Sequence, residues 1–137
     1  MRYPLDELID KRSIIQLKIE RLEGEERGRL RKEFDDYSVA IQEYVAEGAC
    51  TNEKVNQWHN ELYGANGKTW DLESDIRKGQ LGKMPLEEIG KRAIAIRESN
   101  GVRVRIKSRI VDATGVGYKD VKINHASQGT QNQISTP

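Results

Sequence analysis

The sequence predicts an all-α protein, an antiparallel bundle of about four helices. Three observations carry that expectation. Apolar residues recur at spacings of three and four through four separate segments, the period that stacks side chains on one helix face. Only one short stretch alternates as a strand would. Proline occurs only at positions 4, 85 and 137, and the first two stand where a helix can start.

The first segment opens at Pro4 with Asp6 and Glu7, a composition suited to a first helical turn. Leu5, Leu8, Ile9, Ile15, Ile19 and Leu22 form its apolar face, with Lys11, Lys18 and Glu20 outside it. Gly24 and Gly28 bracket a charged connection. A second helix carries Leu30, Phe34, Tyr37, Ile41 and Tyr44 in a heptad-like seam, and Gly48 is its natural stop. Thr51 or Asn52 can cap a third helix, stepped by Val55, Trp58, Leu62, Ala65, Thr69, Leu72 and Ile76. Gly64 and Gly67 weaken that helix by up to ~1 kcal/mol each and suggest close approach of another backbone. Lys78 to Met84 reads as a loop. Pro85 then opens a fourth helix through Leu86, Ile89, Ala93 and Ile96. From Asn100 to Ile110 periodicity leaves two readings open. Val102, Val104 and Ile106 alternate with Arg103, Arg105 and Lys107 as in an exposed strand, yet the same residues can continue the helix. Gly115 and Gly117 end whatever precedes them.

These elements make one domain over residues 1–126, followed by a polar tail over 127–137 that is expected to be mobile. Charged residues form 33% of the chain and apolar ones 36%, outside the range of disorder. The formal net charge is +1 with acids and bases interspersed, which argues against nonspecific nucleic-acid binding. Cys50 is the only cysteine, which fits a reducing compartment. Asp6, Glu7 and Asp10 exclude a signal-type apolar start, and no run approaches the roughly 20 apolar residues of a membrane span. The expected location is cytoplasmic. The leftover seam on the second helix predicts a homodimer or higher homo-oligomer.

The third helix carries a second stripe. His59, Tyr63, Asn66, Trp70, Glu73 and Arg77 also step by four and three, so they share one row. Aromatic rings, an amide, an acid and a guanidinium together offer stacking surfaces and a fork for phosphate or carboxylate. If the fourth helix continues, Asn100, Arg103 and Lys107 fall on the row begun by Leu86. The plainer alternative is a structural row, with large boundary rings and an i,i+4 pair between Glu73 and Arg77. Other signals are weaker. His59, His125 and Cys50 lack metal-ligand spacing, and no phosphate-binding glycine loop follows a strand. Glu43 with Glu47 and Asp71 with Asp75 are i,i+4 acid pairs of the kind that hold magnesium in helical nucleotide hydrolases, though sparser.

Three stretches resemble an uncharacterised domain of small bacterial and phage proteins. They are Glu7-Leu8-Ile9-Asp10-Lys11, then Trp70-Asp71-Leu72-Glu73-Ser74-Asp75-Ile76-Arg77, then Asn100, Arg103, Ile106 and Lys107. The second is similar to the family's W-x-x-E-x-x-I-R and the third to its N-x-x-R-x-x-I-K. The resemblance implies helix after Asn100 and points to Lys11, Trp70, Glu73, Arg77, Asn100, Arg103 and Lys107 as the polar motif positions. The chain departs from the family's pattern at Ile94, where an arginine is common, and in a longer segment before Pro85. The resemblance carries no known activity.

The expected function is non-catalytic binding of an anionic small molecule of nucleotide type, with no cofactor, as in a phage protein that sequesters a signalling nucleotide. Trp70, Tyr63 or His59 would stack on a ring, Arg77, Arg103 and Lys107 would neutralise phosphate, and Asn100 and Glu73 would read polar edges. A structural or adaptor bundle is the alternative, and a metal-dependent nucleotide hydrolase the third reading.

Overall fold

A computed structural model describes residues 2–117 as four helices, with no strand among the described residues: α1 (Leu5–Arg21), α2 (Arg27–Ala46), α3 (Asn52–Leu81) and α4 (Leu86–Thr114). The expected domain end at residue 126, the tail from 127, and His125 lie outside the described residues.

Boundaries follow local chemistry. The Thr51 side chain caps α3 by accepting from the Lys54 N–H at 3.2 Å, satisfying a donor that the first turn leaves without a partner. Helix α2 stops two residues before Gly48, and α4 ends at Gly115 in the left-handed conformation with φ of 69°. Residues 100–110 are helical throughout, and they bury Ile106 and Ile110 while leaving Val102 at the surface.

The segment expected to be a loop from Lys78 is instead helix as far as Leu81. The helix end is closed by a local contact. A Cβ at Gly79 would lie 2.7–2.8 Å from the Met84 side chain, so the missing side chain lets the returning strand of chain close on the helix. The Met84 N–H then donates to the Gly79 carbonyl at 2.7 Å, and Lys83 takes the tight corner with φ of 65°. Gly64 and Gly67 have no such role. A Cβ at Gly64 meets nothing within 4 Å, and one at Gly67 would make ordinary contact with Leu17 and Arg21.

Cross-helix pairs give the topology. Glu61 with Arg109, Thr69 with Ser99 and Asp75 with Arg92 run in opposite sequence order, so α3 and α4 are antiparallel. Tyr44 donates to the Tyr3 carbonyl and Arg12 donates to Ser38, which sets α2 antiparallel to α1. The core gathers at one end, where Leu5, Leu8 and Ile9 of α1 meet Ile41, Trp58, Leu62 and Ile110. Each such side chain contributes about 1.5–3 kcal/mol by leaving water.

Helices α3 and α4 have 30 and 29 residues against 17 and 20 for α1 and α2. At 1.5 Å per residue, α3 spans about 45 Å. The longer hairpin therefore outruns the shorter one and forms a two-helix arm. Between residues 71 and 98 only Gly79 is fully buried, and no described hydrogen bond or ion pair joins residues 72–98 to α1 or α2. Leu81 and Leu86 near the tip are 89% and 85% exposed.

The α2 seam expected to meet another subunit is filled from within the chain: Leu30, Ile41 and Tyr44 are buried and Tyr37 packs on the core. The two most exposed apolar side chains, Leu81 and Leu86, lie at the tip of the arm, while Tyr3, Leu22, Val39 and Val102 are exposed to a lesser degree on the body.

Candidate functional site

The second stripe of α3 is the row that faces α1. His59 meets Arg12 and Gln16, Tyr63 donates to Glu20, Asn66 donates to Asp10 and Ser13, and the Arg21 guanidinium lies over the Trp70 ring at 5.8 Å. Past the end of α1 the same row continues as Glu73 and Arg77, both exposed, and the ion pair that their spacing allows is not formed. The mixed chemistry of the stripe therefore answers an equally polar face of α1.

That face was hidden in the sequence behind the apolar one. Asp6, Asp10 and Ser13 step by four and three and are all buried. Asp10 is the centre of the network, with only 1% of its side chain exposed. Arg103 of α4 grips it with a fork: Nε donates to Oδ1 and Oδ2 at 3.0 and 3.1 Å, and Nη2 to Oδ2 at 2.5 Å. The Asn66 amide adds 2.9 Å to Asp10 and 3.0 Å to Ser13, whose hydroxyl donates to the Asp10 carbonyl. One turn away Lys107 donates to Glu7 at 2.7 Å. Two acids on α1 and two bases on α4 thus lock the helices in register. Beside them Asp6 is 4% exposed, and its Oδ1 has no hydrogen-bond partner among the described residues. Burial pushes its carboxyl above the usual range, against the pull of Lys107. Gly117, with φ of 110°, leaves the room, since a Cβ there would sit 2.5 Å from Oδ1.

His59 sits in the wall between α1 and α3, 7% exposed. Arg12 Nε donates to its Nδ1 at 3.1 Å, and its Nε2 lies 2.6 Å from the Gln16 carbonyl oxygen, so the partners select the neutral tautomer with the proton on Nε2. Burial, helped by the Arg12 charge, lowers its pKa to about 4. Arg12 itself is 8% exposed and has no carboxylate partner among the described residues. It bonds Ser38 and lies 5.4 Å from the Phe34 ring centre. With both ring nitrogens engaged, His59 presents no edge to a ligand.

Trp70, Glu73, Asn100 and Arg103 do come together, around a cleft of about 250 Å³ roofed by Ile14 and Leu17. Tyr63, Lys107 and His59 are engaged elsewhere along α1, Lys11 is exposed, and Arg77 stands on the arm. The cleft holds no excess of positive charge: Asp10 balances Arg103, and Glu73 adds a carboxylate. A larger depression of about 490 Å³ lies between α1 and α2, where Arg27 and Arg31 face Glu20 and Asp35 beside Phe34. The acid pairs considered for magnesium are already matched to arginines. Arg2 lies against Glu43 and Glu47, Arg21 against Asp71, and Arg92 against Asp75. No described helix is long and apolar enough to cross a membrane.

No family model, curated protein or solved structure matches this chain. The motif stretches therefore have no counterpart among the proteins compared. Within this structure, the first and third of those stretches are the two halves of the Glu7–Lys107 and Asp10–Arg103 pairing.

Proposed function

We propose that this chain is a non-catalytic association module: a helical body that presents the α3–α4 arm to a protein partner. One observation carries the reading. The arm extends beyond α1 and α2 with Leu81 and Leu86 almost fully exposed and with Ile94 about half exposed. Two helices alone cannot enclose their apolar rows, and a helical partner laid on them would recover about 1.5–3 kcal/mol for each leucine it covers. The charged groups of the body support the same reading, because Asp10, Glu7, Arg103 and Lys107 are committed to one another.

The test is photo-crosslinking from position 86, in the cells that make the protein, with position 54 on the body as control. A discrete adduct from position 86 alone is expected, and equal or absent labelling from both positions would sink the reading.

Binding of an anionic small molecule such as a nucleotide is the second reading, favoured by the convergence of Trp70, Glu73, Asn100 and Arg103 on one cleft. Its electrostatics weigh against phosphate, since the only guanidinium in that cleft already faces a buried carboxylate. An indole face, an amide and a carboxylate suit a neutral polar molecule better.

A further inference from the structure

We infer that the arm's partner is a second copy of this chain, joined through the α3 row Trp70, Glu73, Arg77 and Leu81 in antiparallel, two-fold fashion. The inference rests on the association reading above and names its partner.

The row steps by three, four and four, so its members share one face of α3. It is the continuation of the row that binds α1 in the body, and it runs on past the point where α1 ends at Arg21. In chemical order it reads apolar, acid, base, apolar. Reversed, it reads the same with acid and base exchanged. When two such rows lie antiparallel about an axis near residue 75, Glu73 of each copy faces Arg77 of the other. Trp70 then faces Leu81 to within one residue, about 1.5 Å of rise. Ser74, a small residue, is next to the axis and allows close approach.

The free molecule leaves this row open beyond Trp70, whose ring lies under Arg21 at the end of α1. Glu73 and Arg77 are exposed and form no ion pair with each other or with any described residue, although they stand at the i,i+4 spacing. Leu81 is 89% exposed. Along α3 and its corner the polarity is the same, with Asp71, Glu73 and Asp75 towards the body and Arg77, Lys78 and Lys83 towards the tip, while α4 carries Glu87 and Glu88 at its tip end. A parallel pairing of α3 rows would set like charges against like, whereas the antiparallel one sets the acids of each row against the bases of the other. A two-fold interface must be self-complementary, and this surface satisfies that condition. An unrelated helix has no need of it.

Sedimentation equilibrium on the purified full chain, with charge-swapped variants, decides the matter. Wild type should show about twice the chain mass of 15.6 kDa. Glu73→Lys and Arg77→Glu should each set like charges together at both symmetric positions and give monomers. An equimolar mixture of these two variants should regain the dimer, because every facing pair is then opposite in sign. The double variant should dimerise alone. Circular dichroism should show the same helix content in all of them, which separates lost association from lost folding.

Monomeric wild type at every concentration, or swaps that fail to restore one another, would overturn the two-fold pairing. In that event the crosslinking from position 86 still judges the association reading separately. An adduct at another mass keeps an arm-binding partner and removes the second copy, whereas an adduct at twice the chain mass agrees with the pairing.

Discussion

Replacing Arg103 by alanine should be the most costly single change to a charged residue in this protein. The substitution removes the only cation paired with Asp10 among the described residues, and the Asp10 side chain is 1% exposed. A carboxylate stranded in this way costs about 3–5 kcal/mol. Arg103 is itself one-third exposed, so water reaches the gap it leaves, and the lower end, about 3 kcal/mol, is expected. Stability for a chain of this size is about 5–15 kcal/mol, and each kcal/mol moves Tm by about 3 °C. Arg103→Ala should therefore melt about 10 °C below wild type at pH 7, with a matching shift of the urea midpoint. Lys68→Ala, at an exposed position off the pairing row, should stay within about 0.5 kcal/mol. Asp10→Asn combined with Arg103→Gln should recover part of the loss, since no charge is then left alone, and the cycle of single and double variants should show coupling of at least about 1 kcal/mol. An Arg103→Ala variant melting within about 2 °C of wild type, a loss of roughly 0.5 kcal/mol, would refute the claim that the fork holds the helices together.

Two further outcomes follow from particular residues. His59 has a folded pKa of about 4 against 6.5 in the unfolded chain, so the unfolded state takes up a proton that the folded state refuses. Its contribution is complete above pH 6.5 and is lost as pH falls towards 4, about 3 kcal/mol in all, and His59→Gln should flatten that slope in urea titrations at pH 7 and pH 4.5. Lys83 holds φ of 65°, a conformation that glycine adopts without its Cβ penalty, so Lys83→Gly should raise stability by up to about 1 kcal/mol in thermal melts. An unchanged or lowered Tm would mean that the corner is not strained.

The helices were legible because burial imposes the period of three and four on every apolar row, and Val55, Trp58, Leu62, Ile106 and Ile110 are where that rule puts them. The capping threonine and the stop at Gly115 were legible for local reasons, through hydrogen-bond supply and a left-handed φ. The end of α3 was not. Two glycines near Lys78 look like a loop to any local rule, and only the contact of Gly79 with Met84 makes helix the better state. The α3 stripe was visible as a row, yet its purpose depended on a partner row made of acids. Asp6, Asp10 and Ser13 repeat with the same spacing as apolar residues do, but charge reads as surface unless its counterion is known. The pairing of Glu7 and Asp10 with bases four apart on α4 was the one available clue.

The same pairing has a temporal side. Asp10 and Arg103 are 93 residues apart, and Glu7 and Lys107 are 100 apart. At synthesis rates of about 5–20 residues per second, α1 exists for roughly 5–20 s before the bases that close over it have been made. Contacts this distant in sequence also slow the closing step itself. The molecule is thus completed from its far end: a nascent or truncated chain lacking the last turns of α4 holds every residue of α1 and none of the charges that allow it to be buried.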